Sequence, residues 1–481
     1  MSAPADVVIG VDAGTTSVKA VAVDPSGAII ASAGSDPIPT HAPEPGASVQ
    51  SPLAIWDALS SACRRGAATI SPSTRVRALA VAAQSGSVIP IRRRTILDGS
   101  AEDGATEAVT WMDNRSQPLV EAWGATIAET IRSQSGWMPS PGLGLSTISW
   151  LRATAAVECD HWASVDDYLM HKLTGSWLTN PSNAAGMQFM DVSSLEWSAE
   201  LCEIAGIALS TLSIIRGSGE RGGTLNISSA RTTELPDSLP VVVGGHDQAC
   251  AALGLGVTAP GSAFLSMGTA WVLTMITDRA EMASLPASFN LSPHVIPHRW
   301  TVSQNLGGLG AALASELPQT SDAVEAALGS QPPSADDPYF LPAIHQTERT
   351  GWGELRRPAS PHDPVARIRA VMEACAFEAR RAVEEAAPTV KVSKLTVVGG
   401  GTRSRYLTQQ IADTVGVPLT VRADASWPAL GAARLAAESL GWSPDVASAM
   451  PSTTVHPRRS PDDTGERRYA EYRRLMTGAR Q

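Results

Sequence analysis

The chain has five cysteines in 481 residues, Cys63, Cys159, Cys202, Cys250 and Cys375. Their number is odd, they are scattered, and none forms a CxxC or Cys/His spacing. That excludes a disulfide framework and a zinc site and fits reduced thiols. A basic excess is also missing. The net charge is −10, and short runs such as Arg92-Arg93-Arg94 and Arg473-Arg474 read as solvated surface. A nucleic-acid partner, which needs a basic face, is excluded. No apolar run reaches the roughly 20 residues that span a bilayer, which excludes a membrane-spanning segment. The opening Met-Ser-Ala-Pro-Ala-Asp lacks the basic segment and apolar core of a signal peptide, so the expected location is the cytoplasm. The P-loop pattern GxxxxGK[ST] is absent as well. Any phosphate site in this chain has to be built differently.

What remains is ordinary for a globular enzyme: 43% apolar and 17% charged residues over 481 positions, a length that predicts two or three domains. The apolar run Val7–Val11 ends at Asp12, and Gly14-Thr15-Thr16 turns the chain into a second strand, Val18–Val23. Asp24-Pro25-Ser26-Gly27 turns it again into Ala28–Ala31, predicting an antiparallel meander. Pro37–Pro52 reads as loop, Leu53–Gly66 as helix and Val76–Val81 as strand. Pro139–Gly144 reads as a loop at a pocket edge, and Asp167–Thr174 as a short helix stopped by Gly175. The apolar run Pro240–Val243 is expected to open a second lobe, dividing the chain into 1–239 and 240–481. The tail Pro451–Asp463 is polar, and a last helix carrying Tyr469, Tyr472 and Leu475 is expected to pack back on the body.

The opening turn has an echo. Asp12-Ala-Gly-Thr-Thr-Ser-Val-Lys-Ala-Val-Ala-Val is matched by Ser266-Met-Gly-Thr-Ala-Trp-Val-Leu-Thr-Met-Ile-Thr, each run ending at an aspartate, Asp24 and Asp278. A tight glycine turn between strands exposes backbone N–H groups, and a flanking hydroxyl adds a donor; such a concavity suits phosphate. Two copies, with an acid in only the first, predict two related lobes closing on the phosphates of one nucleotide. Asp12 would hold Mg²⁺ beside those phosphates, directly or through water, or else cap its turn. Lys19 would neutralise phosphate charge or sit solvated on its strand.

Val243-Gly244-Gly245-His246-Asp247-Gln248 runs a strand into two glycines and an acid. Asp247 there can accept the proton of an attacking hydroxyl, and it can equally cap the following helix. His246 reads as a hydrogen-bonding residue. Leu395–Val398 enters Gly399-Gly400-Gly401-Thr402-Arg403-Ser404 ahead of a helical pattern through Val415, a place for a base or ribose to approach the backbone.

Taken together these motifs resemble the FGGY family of carbohydrate kinases, within the actin-like ATPase superfamily. The resemblance also rests on Trp111-Met-Asp-Asn-Arg115, Asp167-Tyr-Leu with Leu173-Thr-Gly175, and Ala184-Ala-Gly186. It extends to Phe340-Leu-Pro342 with Glu348-Arg-Thr350 and to Pro428-Ala-Leu-Gly-Ala-Ala433. It implies an α/β fold of two RNase H-like lobes with a central cleft. ATP and Mg²⁺ would be bound there, and the γ-phosphate passed to a sugar or polyol. By resemblance Asp247 is the base and Asp12 the Mg²⁺-associated acid. Gly14, Thr15, Thr16 and Lys19 lie on one side of the ATP phosphates, Gly268 and Thr269 on the other. Gly400, Gly401 and Ser404 match the adenosine site, and Trp111 and Asp113 the wall and support of the sugar pocket, although Trp111 also suits a core.

The chain departs from the family pattern at Gln84-Ser85-Gly86, where xylulokinase-like members carry Gln-Met-His and glycerol kinase-like members Gln-Arg-Glu. The pair that grips glycerol is missing. A roomier pocket would need other donors, Gln84, Ser85 and Gln248, and a ketopentose, tetritol or related polyol is the expected substrate. Thr147 stands where a lysine is usual, and Ala270-Trp271 follows the second turn. Two alternatives are carried forward: an actin- or chaperone-like ATPase without sugar transfer, and a catalytically silent sugar-binding relative. The oligomeric state stays open, a homodimer included.

Overall fold

The computed structural model describes residues 5–92, 104–105, 107–154, 157, 159–316, 322–330, 337–343, 352–356, 364–458 and 464–478. Glu348-Arg-Thr350, Arg93-Arg94 and the end of the tail to Asp463 lie outside the described residues. No described helix is long and apolar enough to cross a membrane.

Two mixed sheets form the frame. The first contains β1 (Asp6–Ala13), β2 (Val18–Val23), β3 (Ile29–Gly34), β4 (Arg75–Ala83), β5 (Arg221–Thr224) and β6 (Pro240–His246), in the order β5-β6-β4-β1-β2-β3. The meander β1-β2-β3 is antiparallel, as its turns predict, and β1, β4 and β6 run parallel. The second contains β7 (Ser262–Met267), β8 (Trp271–Thr277), β9 (Asn290–Pro293), β10 (Trp300–Asn305), β11 (Lys394–Val398), β12 (Leu419–Arg422) and β13 (Ser452–Val455), ordered β9-β10-β8-β7-β11-β12-β13. Here β7-β8-β10 is the antiparallel meander, and β7, β11 and β12 are parallel. Each half therefore repeats one topology, three meandering strands followed by two parallel ones. That is the structural content of the sequence echo.

The strand beginning at Pro240 corrects the expected division of the chain. It pairs with β4 through Val241↔Leu79 and His246↔Ala83, so it belongs to the first sheet and the second half begins after it. An apolar run ending in two glycines looks the same in either lobe; only its hydrogen-bond partner decides.

Strand alternation places the cores. Val7, Ile9 and Val11 point to one face of the first sheet, where Leu59 of α1 (Pro52–Ala67) and Tyr168 of α2 (Val165–Thr174) cover them. The short helix α3 (Pro181–Met187) lies nearer the cleft. Val8, Ala80 and Val242 point to the other face, into a cluster shared with Leu253 of α4 (Asp247–Gly254) and Phe264 of the second sheet. A third cluster covers the far face of the second sheet, with α5 (Arg405–Val415) on it.

The middle cluster is completed by α6 (Trp427–Glu438), a helix from the second half lying on the first sheet. Small residues make the approach close. A Cβ on Gly10 of β1 would stand 2.0 Å from the Ala429 carbonyl oxygen, and one on Gly431 would stand 1.8 Å from that of Cys250 in α4. The Ala-Leu-Gly-Ala-Ala run is thus the contact face between halves.

Candidate active site

Parallel strands that end together leave a crevice at their carboxyl ends. β1, β4 and β6 do so with Asp12 and Gly245 both level with Ala82 of the central strand. The three strand ends deliver Asp12, then Gln84-Ser85, then His246-Asp247 along one edge. The second sheet repeats the device. Ser266 and Val398 are level on parallel β7 and β11, so Gly268-Thr269 and Gly399-Gly400-Gly401 emerge side by side. Gly399 has φ +95°, and a Cβ there would stand 2.9 Å from the Met267 carbonyl oxygen, so the turn admits only glycine without strain.

Asp12 and Asp247 feel one another. Burial first, and then the charge of Asp247, raise the Asp12 carboxyl from 3.8 to about 7, against the pull of a Ser426 hydrogen bond and Lys19. Ser426 Oγ donates to Asp12 Oδ2 at 3.0 Å from the residue before α6. Lys19 is the cross-strand partner of Asp12 in the β1–β2 hairpin, exposed on the same face. Two carboxylates in a partly dry crevice suit a divalent cation. Among the described residues no three His, Cys, Asp or Glu side chains converge on a metal position. A cation here would take its other ligands from phosphate and water, the habit of Mg²⁺.

Asp247 is the first residue of α4 and His246 holds the capping position, so Asp247 does not cap the helix; it lines the cavity at the positive end of the helix dipole. His246 Nε2 lies 3.0 Å from Asp247 Oδ1. A buried chain of hydrogen bonds holds this corner. The His246 amide donates to Ser182 Oγ at 2.9 Å, Ser182 Oγ donates to Asn180 Oδ1 at 2.6 Å, and Asn180 Nδ2 donates to Asp166 Oδ2 at 3.0 Å. Sequence reasoning missed this chain. Its only trace was Asn180-Pro181-Ser182, a helix-start signature, and Asn180 does cap α3.

A cavity of about 760 Å³ opens at the same edge, walled by both halves. Gln84, Ser85, Trp111, Asp247 and Gln248 line it from the first half, and Thr274 and Ser303 from the second. Gln84 Oε1 accepts the Thr15 hydroxyl at 2.7 Å, while its buried amide nitrogen has no protein partner. The Gln248 side-chain carbonyl is likewise buried and unpaired. Both residues line the cavity, so an unpaired donor and an unpaired acceptor are buried in its wall. Ser85 Oγ donates to the Asn183 carbonyl at 3.2 Å, and a Cβ on Gly186 would stand 1.9 Å from it, which accounts for the glycine of Ala184-Ala-Gly186. Trp111 is wall, 47% exposed, with its indole N–H donating to the Thr15 hydroxyl at 2.9 Å.

Three sequence assignments change in detail. The Thr15 hydroxyl, expected at the phosphates, is tied to Gln84 and Trp111 in the cavity. Asp113 is buried behind the wall and lines nothing: its carboxylate accepts the Ser48 amide at 2.8 Å and pairs with Arg115 at 2.8 Å, fixing the Trp111 loop from behind. Arg115 in turn stacks 4.5 Å over Trp150. Ser404 caps α5, accepting the Leu407 amide at 3.0 Å and donating to Glu325 at 2.5 Å, so its hydroxyl is occupied locally. Thr147, in place of the usual lysine, is buried in the helix Gly144–Thr154. Gly14 sits beside the Asp12 carboxylate, its virtual Cβ 4.0 Å from Oδ1, Thr16 is exposed at the turn, and Gly400 has open space before it.

Two sheets of one topology, a glycine turn in each, and a carboxylate beside a cavity walled by both halves fit a two-lobed phosphotransferase of the actin-like ATPase type. The chain matches the N-terminal domain of the FGGY family of carbohydrate kinases over residues 7–254 and the C-terminal domain over residues 265–440. It belongs to that family, whose members are phosphotransferases with an alcohol group as acceptor. It is 28% identical to the xylulose kinase of Klebsiella pneumoniae, with 97% of each chain covered. Among solved structures, the xylulose kinase of Rhodospirillum rubrum shares its fold with a TM-score of 0.88 at 23% identity, covering 98% of each chain. The glycerol kinase of Plasmodium falciparum with ADP does so with a TM-score of 0.85 at 17% identity, covering 98% of each.

Proposed function

We propose that this chain transfers the γ-phosphate of ATP to a hydroxyl of a small sugar or polyol, a ketopentose or a tetritol or pentitol in the first instance. One observation carries the reading. Asp12 and Asp247 stand at the ends of parallel strands of one sheet, close enough for one charge to move the other's proton affinity, and an acceptor-sized cavity lined by Asp247 opens between the two halves. Support for the nucleotide comes from the ADP of the Plasmodium falciparum glycerol kinase, and for the acceptor class from the xylulose kinase relative.

Asp247 takes the acceptor's proton as the hydroxyl oxygen forms its bond to the γ-phosphorus; the bond from that phosphorus to the bridging oxygen breaks, and ADP leaves with the electron pair. His246 and the Ser182–Asn180–Asp166 chain hold the base in one orientation. Gly14, Thr16 and Lys19 border the phosphates from the first lobe and Gly268 and Thr269 from the second, with Gly400 and Gly401 at the adenosine. Asp12 holds Mg²⁺, which when bound offsets phosphate charge. Gln84, Ser85, Trp111 and Gln248 orient the acceptor, while Asp113 and Thr15 act through the Trp111 loop. Lobe closure excludes the water that would otherwise hydrolyse ATP.

A coupled ADP-release screen over pentuloses, hexuloses, aldonates and C3–C6 polyols tests the reading. Asp247→Ala is expected to lower kcat on the best acceptor by about 10²–10⁴-fold while nucleotide binding persists. Near wild-type turnover by that variant would remove Asp247 from the role of base.

A further inference from the structure

The sheet of the second lobe presents an unusual face to the cavity. Asn290 of β9 pairs with Ser303 of β10, and Ser303 with Thr274 of β8, so three polar side chains stand in one straight row across three adjacent strands. Their sequence neighbours Leu291, Val302 and Leu273 point the other way and are fully buried in the core. The row lines the same cavity as Asp247. Thr274 is 1% exposed, and its hydroxyl has no partner in the protein. A buried, unpaired hydroxyl costs free energy unless something outside the chain satisfies it.

The first half lines the cavity with another kind of residue. Trp111, Met112, Trp137 and Met138 are there, Trp111 and Met112 being 47% and 40% exposed, and the Trp137 indole N–H reaches across to Ser292 of β9 at 2.8 Å. A sugar carries C–H groups on one side and hydroxyls on the other, which these two walls match. Charge narrows the ligand further. Among the described residues that line the cavity there is no lysine or arginine, and Asp247 is the one carboxylate. A carboxylate on the acceptor would meet Asp247 with no lysine or arginine in the lining to offset it, His246 being already engaged with Asp247 at 3.0 Å.

We propose that the Thr274–Ser303–Asn290 row is an acceptor subsite on the second lobe, reading hydroxyls remote from the one phosphorylated, and that the acceptor is an uncharged sugar or polyol of five or six carbons. At the spacing of neighbouring strands the row is roughly 10 Å long, too long for a three-carbon triol to follow. Because the row and Asp247 belong to different lobes, a ligand reaching both ties the lobes together. This rests on the kinase reading above and adds to it which acceptor is chosen and by what.

The test compares Thr274→Val and Ser303→Ala with wild type on glycerol, erythritol, xylulose, fructose and gluconate, with melting curves to establish folding. Each variant is expected to raise KM for the best five- or six-carbon acceptor by about fivefold to tenfold, the loss growing with chain length, with KM for ATP unchanged. Gluconate should be the poorest six-carbon acceptor. Equal KM in wild type and both variants, or gluconate preferred over fructose, overturns the subsite. Calorimetric titration with the same acceptors separates the two readings. Binding without transfer would sink the kinase assignment and leave the row standing, transfer indifferent to the row would sink the row alone, and neither binding nor transfer would end both.

Discussion

Asp12 is the residue whose environment departs furthest from that of a free carboxyl while still touching the crevice. Burial, and then the charge of Asp247, hold its proton to about pH 7, whereas an unfolded chain releases it near 3.8. Between those values the folded protein binds one proton more than the unfolded chain, so stability falls as pH rises from about 4 to about 7 and stays reduced above. Asp12→Asn removes the titration. In metal-free buffer at pH 8 that variant is expected to be more stable than wild type, by on the order of 2 kcal/mol once solvent screening is allowed for, with the gap closing toward pH 4. Urea denaturation at the two pH values measures it, and a gap that is the same at both would contradict the assignment. The strain is the reverse side of function: a carboxylate that is costly alone is the one that gains most from a cation.

At the scale of elements, the decisive contact is α6 on β1. Gly10→Ala would drive a methyl group to 2.0 Å from the Ala429 carbonyl oxygen and 2.3 Å from the Ala433 amide nitrogen, both backbone atoms that cannot swing aside. The expected loss is about 3 kcal/mol or more, whereas Gly124→Ala, with nothing within 4 Å, should change stability little; thermal melts of the pair decide it. This contact also marks what a sequence can disclose. The meander, both glycine turns and α1 were legible because turn residues and strand period are local signals, and the place of Asp247 at a strand's exit was legible because the apolar run and Gly244-Gly245 lead straight to it. The sheet to which Pro240–His246 belongs was not, since strand partners lie far apart in the chain. Neither was the direction of Thr15, Asp113 or Ser404, each claimed by a residue far away in the chain: Gln84, Ser48 and Glu325. The polar row on β8, β9 and β10 left one trace, the alternation Thr301-Val302-Ser303, but alternation alone reads as a strand facing water.

At the scale of the whole molecule, two family domains matched over separate stretches invite the view that each folds by itself. The packing argues otherwise. Val8, Val21, Ala80 and Ala82 of the first sheet are buried in a cluster whose other members include Leu430, Ala433 and Leu435 of α6. A chain ending at Gly254 would keep α4 on that face but lose α6 and the second sheet from it, with β1, β2 and β4 each losing apolar cover at roughly 25 cal/mol for every Å² exposed. Such a fragment is therefore expected to bind a hydrophobic dye and melt without a cooperative transition. The full chain, by contrast, should unfold in a single calorimetric step, because the shared cluster makes each lobe's loss the other's. A fragment 1–254 with a sharp melting transition and no dye binding would show that α6 is a late addition to an independent lobe. If the full chain unfolds as one unit, ligands on either side of the cleft raise the same transition, and binding at the nucleotide turns of one half stabilises the acceptor wall of the other.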